Sequence, residues 1–167
     1  CHKRLDLFNF TDYMAGENWF GNADWIYNNM KMARTRTFDN KWRFFLQDLE
    51  WGLGGWTNYT SNMFNWFENQ SQGTPFWDIY NGLIQNPKFK NYFINRYADL
   101  MNTTFQADHY QGIIDSMYNE LLVDYPRSLL LWTGNSNMGN YTNIHNTHLN
   151  QFANRNDFVR DQIVSEY

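Results

Sequence analysis

A chain of 167 residues has the size of one domain with a single sizeable core. Hydrophobic residues at 43% and charged residues at 18% exclude a disordered or collagen-like chain. A net charge of -4, from 13 Lys+Arg against 17 Asp+Glu, argues against non-specific binding to nucleic acid or to an anionic membrane. Aromatic residues reach 20%, so the core is large, yet mean hydropathy is only -0.71. The polarity comes from abundant asparagine rather than from charge. No apolar run approaches the roughly 20 residues of a transmembrane helix, and a lone cysteine, Cys1, allows no internal disulfide. The opening Cys-His-Lys-Arg has neither an initiator methionine nor a signal peptide. It reads as a segment of a longer protein in preference to the mature start of a lipoprotein, and it leaves the compartment open.

Leu5 to Phe20 places Leu5, Phe8, Tyr13 and Trp19/Phe20 at near-helical spacing and predicts a helix. A polar segment, Gly21–Asn22–Ala23–Asp24, follows. Met30 to Arg34 and Lys41 to Leu46 flank an Asp39–Asn40 turn signal, and the second flank is rich in strand formers, which predicts a β-hairpin. Trp51–Gly52–Leu53–Gly54–Gly55 ends it, and Thr57 to Gly73 reads as an Asn-rich loop. From Thr74 onward the chain reads as helix. Thr74–Pro75 and Asn86–Pro87 are each a cap followed by proline at the first helical position. Phe89, Tyr92/Phe93, Tyr97 and Leu100/Met101 form a buried stripe, and Ile113/Ile114, Met117 and Leu121/Leu122 predict another before Tyr125–Pro126. Ile144, Leu149/Phe152 and Val159/Ile163 suggest two final helices separated near Asn154–Arg155–Asn156. The class is mainly α with one small hairpin.

Chemistry-bearing residues gather around that hairpin. Depending on where the turn is centred, pairing places Asn29 opposite Asp48 or opposite Glu50, with Asp24 just upstream. Either register brings an amide and one or two carboxylates to the open end, and such oxygen ligands suit Mg²⁺ or Mn²⁺. The layout is similar to a protein-kinase catalytic centre, where an Asp lies five residues before an Asn and a metal-binding Asp follows a hairpin. Asp24 and Asn29 have the D-x-x-x-x-N spacing, and Asp48 fills the later position in an Asp-Leu-Glu context.

Asn22–Ala23–Asp24–Trp25 with Asn28–Asn29, Lys41–Trp42–Arg43–Phe44, and Gln47–Asp48–Leu49–Glu50–Trp51–Gly52–Leu53–Gly54 together resemble the CotH family of spore-coat-type kinases. Leu83–Ile84–Gln85–Asn86–Pro87–Lys88–Phe89, Asn95–Arg96–Tyr97 and Phe152–Ala153–Asn154–Arg155 fit that family's C-terminal helices. The resemblance spans nearly the whole chain and corresponds to the C-terminal, kinase-like lobe of the family's domain. It implies an atypical kinase using ATP with Mg²⁺ or Mn²⁺ to phosphorylate Ser/Thr of a protein acceptor. Asp24 would be the catalytic aspartate, Asp48 and Asn29 metal ligands with Asn28 competing for the latter role, and Glu50 a longer substitute for a second acidic ligand. The phosphate-gripping lysine and its glutamate would belong to an N-terminal lobe of the same parent, so the isolated chain is expected to be inactive. The resemblance favours a cell-surface, spore-coat or exported setting.

Other residues have plainer readings. Asp24 alone would read as an Asx-type cap, and Asp48 and Glu50 as exposed strand-end carboxylates. His145 and His148 lack a third ligand and read as surface or partly packed, while Phe8/Tyr13 and Phe89/Tyr92/Phe93 read as core. Trp51, Trp56, Tyr59, Phe64, Trp66 and Phe67 crowd one loop. They cover the lobe or form a recognition patch, and the patch motivates an alternative: a non-catalytic module for adhesion or glycan contact.

Overall fold

Asp6 starts the first helix by accepting the Asn9 N–H on its carboxylate at 3.2 Å. Gly21 ends it in the left-handed conformation (φ 68°). The Gly21 N–H bonds the Asn18 carbonyl and the Asn22 N–H bonds the Glu17 carbonyl, both at 3.1 Å, the paired closure that favours glycine at this position. In the computed structural model, which describes residues 3–167, this helix is α1 (Leu7–Phe20). After it come β1 (Lys31–Arg34), β2 (Trp42–Phe45), α2 (Met63–Ser71), α3 (Pro75–Ile84), α4 (Pro87–Asn102), α5 (Ala107–Leu121), α6 (Tyr125–Thr133) and α7 (Gly139–Glu166). The chain is mainly α with one two-stranded antiparallel sheet, as the sequence predicts.

The buried face of α1 carries Phe10, Tyr13, Met14 and Glu17. Phe8 is not part of it: it stands about 200° around the helix from Phe10, is 69% exposed, and rests edge-on against Tyr92 at 5.3 Å. Phe44 of β2 stacks on Tyr13 at 5.0 Å, and Phe76 of α3 meets Phe10, Trp25, Phe44 and Phe67 at 5.5–5.9 Å. This aromatic centre joins the hairpin to α1, α2 and α3.

The hairpin forms in a register different from both expected ones. Lys31 pairs with Phe45 and Arg34 with Trp42, so Lys31 faces neither Leu46 nor Asp48, and Asn29 is opposite neither Asp48 nor Glu50. Two local causes are visible. Asn40 takes a left-handed φ of 57° and bonds back to the Thr35 carbonyl at 3.1 Å, closing the loop between the strands. Beyond the ladder, Asn29 (φ 50°) and Asp48 (φ 57°) are also left-handed, a conformation that cannot extend a strand. The inward face of β2 is fixed from α1: Asn9 accepts the Phe44 N–H at 2.6 Å and donates to the Phe44 carbonyl at 3.0 Å. The segment before α1 adds to the same strand, with Asp6 N–H to Trp42 O at 3.0 Å and Trp42 N–H to Arg4 O at 2.7 Å.

The helical half departs from expectation in three places. The Asn-rich stretch expected as a loop contains α2, because Asn62 caps it (3.1 Å from both the Phe64 and Asn65 N–H) and Met63, Phe64, Phe67 and Ser71 form a buried helical stripe. The stripe on α5 is present but not buried: Ile113, Met117, Leu121 and Leu122 are exposed, Met117 by 58%. Its tertiary neighbour is α7, and one helix against it cannot cover that face. The expected break at Asn154–Arg155–Asn156 does not occur; α7 continues through it. Two of these residues, Arg155 and Asn156, are tethers. Arg155 is fully buried and donates to the carbonyls of Asn18, Trp19, Tyr59 and Ser61 at 2.8–2.9 Å. Asn156 accepts the Trp19 indole N–H at 2.7 Å and donates to the Phe105 carbonyl at 2.9 Å.

The two proline-opened helices behave as predicted. Thr74 accepts the Trp77 N–H at 3.2 Å and Asn86 accepts the Lys88 N–H at 3.0 Å. On α4, Phe89, Phe93, Tyr97, Leu100 and Met101 are buried, while Tyr92 is only partly so.

Candidate active site

The segment leaving α1 is pinned on both sides of Asp24. Asn22, fully buried, accepts the Asp24 backbone N–H on Oδ1 at 3.0 Å and donates from Nδ2 to Glu17 Oε2 at 2.9 Å. Trp25, also buried, stacks on Phe67 at 5.3 Å and meets Tyr13 edge-on at 5.7 Å. The Asx turn here is therefore made by Asn22. The Asp24 carboxylate, half-buried, looks forward along the chain instead. Its Oδ1 accepts from Asn28 Nδ2 at 2.8 Å and its Oδ2 from Asn29 Nδ2 at 3.1 Å.

The D-x-x-x-x-N spacing is thus closed by a side-chain hydrogen bond, and both neighbouring asparagines take part. A carboxylate accepts and does not donate when ionised, so each amide must present its NH₂ to Asp24. The Oδ1 of both Asn28 and Asn29 then accepts no hydrogen bond among the described residues and is available to a cation or a donor. The turn between Trp25 and Asn28 is strained: Ile26, β-branched, sits at φ 76°, which costs of order 1–3 kcal/mol and is concentrated at functional sites.

Asp48 and Glu50 stand on the exposed segment leaving β2. The Glu50 carboxyl is raised above the usual carboxylate range, chiefly by a side-chain hydrogen bond with Asp48, and the charges of Asp48 and Asp24 push the same way. Asp24 and Asp48, the residues before and after the hairpin, thus both act on Glu50. Among the described residues no three His, Cys, Asp or Glu side chains converge in a geometry that holds a metal ion. The donor set is nonetheless all oxygen, two adjacent carboxylates with asparagine carbonyls nearby, and its mutual repulsion is of the kind a hard divalent cation relieves.

A tight turn follows. Gly52 N–H bonds the Leu49 carbonyl, Leu53 N–H bonds the Phe20 carbonyl and Gly54 N–H bonds the Thr57 carbonyl, all at 2.9 Å. A Cβ on Gly52 would stand 2.4 Å from the Phe20 carbonyl oxygen, so only glycine lets this turn lie against the end of α1. The loop aromatics divide. Phe64 and Phe67 are core. Trp66 lies parallel to Trp25 at 6.4 Å, and Tyr59 packs on Phe158 at 5.3 Å while its N–H bonds Gln151 at 2.6 Å. Trp51 and Trp56 stack on each other at 4.8 Å and stay 38% and 73% exposed. His145 pairs with Asp115 at 2.7 Å and stacks on Tyr118, and burial lowers the pKa of His148.

Sequence reasoning overlooked Glu17, Asn22 as a buried linker, and Arg155. Glu17 could have been noticed as a carboxylate four residues after Tyr13 on the apolar face of a helix. Arg155 stood in the Phe152–Arg155 segment that fits the family's helices, but nothing there marked it as a tether, because its asparagine neighbours resemble a helix break.

The family model described as CotH kinase protein matches residues 1–159. The chain belongs to this family. No curated relative and no solved structure matches it. Among the described residues, no helix is long and apolar enough to cross a membrane.

Proposed function

We propose that the chain is the C-terminal lobe of a metal-dependent protein kinase that transfers the γ-phosphoryl group of ATP to a Ser or Thr hydroxyl of a protein acceptor. The observation that carries this reading is the Asp24 carboxylate held by both Asn28 and Asn29 on a strained turn anchored by buried Asn22 and Trp25, next to the Asp48–Glu50 pair. Family membership supports it.

In this reading Asp24 orients the acceptor hydroxyl and takes its proton as the oxygen bonds to phosphorus and the bond from phosphorus to the ADP oxygen breaks. The two amide hydrogen bonds leave lone pairs on both carboxylate oxygens for that hydroxyl. Asp48, with Asn29 or Asn28 and the longer Glu50, would hold Mg²⁺ or Mn²⁺. The cation would neutralise charge on the phosphates and align the leaving group. The lysine that grips the phosphates and the glutamate that orients it belong, in this account, to an N-terminal lobe of the parent chain, and residues 1–167 alone are inactive. The family resemblance favours the cell surface, a spore coat or an exported compartment as the setting.

The test is nucleotide binding to the parent chain, measured by calorimetry with and without Mg²⁺ or Mn²⁺. The expected result is metal-dependent ATP binding that D48N weakens at least tenfold and D24N leaves within about threefold, because a hydroxyl-orienting residue touches the acceptor rather than the nucleotide. Metal-independent binding, or equal loss in both variants, contradicts the assignment of roles. One observation favours a second reading, adhesion or glycan contact: the exposed Trp51–Trp56 stack. It predicts no nucleotide binding and loss of glycan retention in W51A/W56A.

A further inference from the structure

Glu17 is a carboxylate in an unusual place. It is fully buried on α1, and no Lys, Arg or His lies within ion-pair distance among the described residues. Leaving a carboxyl group in such a site is costly unless its oxygens are used. One of them is. Oε2 accepts the Asn22 amide at 2.9 Å, and Asn22 Oδ1 in turn accepts the Asp24 backbone N–H at 3.0 Å. The other, Oε1, has no hydrogen-bond partner, and neither has the neighbouring Tyr13 hydroxyl.

The direction of this chain is fixed at its far end. A backbone N–H can only donate, so Asn22 must turn its carbonyl oxygen to Asp24 and its NH₂ to Glu17. An acceptor is therefore required at position 17. The same two residues are also tied through the backbone, the Asn22 N–H to the Glu17 carbonyl at 3.1 Å. Asn22 is thus gripped twice by one residue of a rigid helix, and it passes that grip to the residue bearing the candidate catalytic carboxylate.

We propose that Glu17 is a positioning residue: acting through Asn22, it fixes the backbone on which Asp24 stands and so the place where Asp24 meets an acceptor hydroxyl. The proposal rests on the kinase reading for what Asp24 does, but the mechanical hold of Glu17 on the 22–29 segment stands apart from it. Because the requirement is for an acceptor rather than a charge, glutamine serves at position 17 and methionine, similar in volume, does not.

The test compares wild type, E17Q, E17M and N22A by two readouts. Hydrogen exchange of the 22–29 amides is followed in the 167-residue chain, and steady-state phosphotransfer in the parent, with circular dichroism as the check of folding. The expected result is faster exchange at 22–29 in E17M and N22A with α4 unchanged, and a fall in kcat on the order of 10- to 100-fold at nearly constant KM for ATP. E17Q is expected to stay within about threefold of wild type on both counts, a rescue that loss of packing alone would not produce. If E17M does not fold, N22A breaks the same link from the other side. Unchanged exchange at 22–29 in the folded variants, or an E17Q as impaired as E17M, overturns the proposal. A wild-type parent that transfers no phosphoryl group counts against the kinase reading, and the exchange data still decide whether Glu17 holds the segment.

Discussion

Burial without a cation raises the Glu17 carboxyl to about 7, desolvation outweighing the hydrogen bond from Asn22 that acts to lower it. The consequence for stability has a definite sign. In the unfolded chain the group loses its proton near the ordinary glutamate value, whereas in the folded chain it keeps it to about 7. Between those limits the native state binds more protons than the unfolded one, so stability is greatest at the acid end and falls as pH rises to neutrality, by about 3 kcal/mol in total. E17Q removes the titration while preserving the acceptor. Urea midpoints measured at pH 5 and pH 8 are expected to converge for wild type and E17Q at pH 5 and to separate at pH 8, with wild type the weaker. A constant difference across that range would show that Glu17 is not buried as described. Asp24 itself was legible as a spacing, because five residues in a chain are enough to write a motif. What the spacing does not contain is the hold on Asp24, which depends on burial of Asn22 and Glu17 and appears only when the helix is packed.

At the scale of elements, the hairpin shows why local signals gave the right structure in a wrong register. The Asp39–Asn40 turn and the strand formers after it were visible in the sequence. The pairing is set elsewhere, by the left-handed residues Asn29, Asn40 and Asp48 and by the amide of Asn9, which treats β2 as if Asn9 were a strand peptide. The N9A variant loses both of these hydrogen bonds and leaves the Phe44 N–H and carbonyl without their partner. It is expected to cost about 2 kcal/mol in equilibrium unfolding, while a Phe8→Ala change on the exposed side of the same helix costs less than about 1 kcal/mol. Equal effects would mean that α1 does not clamp the sheet. The helix α2 was missed for a related reason: asparagine at position 62 is a cap, but in an Asn-rich chain a capping asparagine looks like its loop neighbours. Thr74–Pro75 and Asn86–Pro87 were readable because proline at the first helical position leaves fewer alternatives.

Across the whole molecule, Arg155 is the tether that connects the C-terminal helix to the end of α1, one helical end away from the Asp24 turn. Burial lowers its pKa to about 10, so it stays charged at neutral pH, and the carbonyls of Asn18 and Trp19 at the negative end of the α1 dipole receive that charge. Arg155→Met strands the Trp19 and Tyr59 carbonyls, takes one of two donors from those of Asn18 and Ser61, and is expected to destabilise the fold by about 3 kcal/mol, with Arg155→Lys only partly restoring it because an ammonium cannot reproduce the fork. A urea midpoint within experimental error of wild type for Arg155→Met would contradict this. No sequence pattern announces such a residue, since its partners are 94 or more positions away. The kinase reading ties these scales together: Arg155 and Gly21 fix the end of α1, Glu17 and Asn22 fix the turn beyond it, and the hairpin returns Asp48 and Glu50 to the same neighbourhood. Its most direct test is transfer of the γ-labelled phosphoryl group of ATP by the parent chain, with and without Mg²⁺ or Mn²⁺, beside folded D24N and D48N variants. The account predicts metal-dependent labelling that falls by at least a hundredfold in each variant. Labelling that survives in both, or no labelling by a folded wild-type parent with either metal, would contradict it.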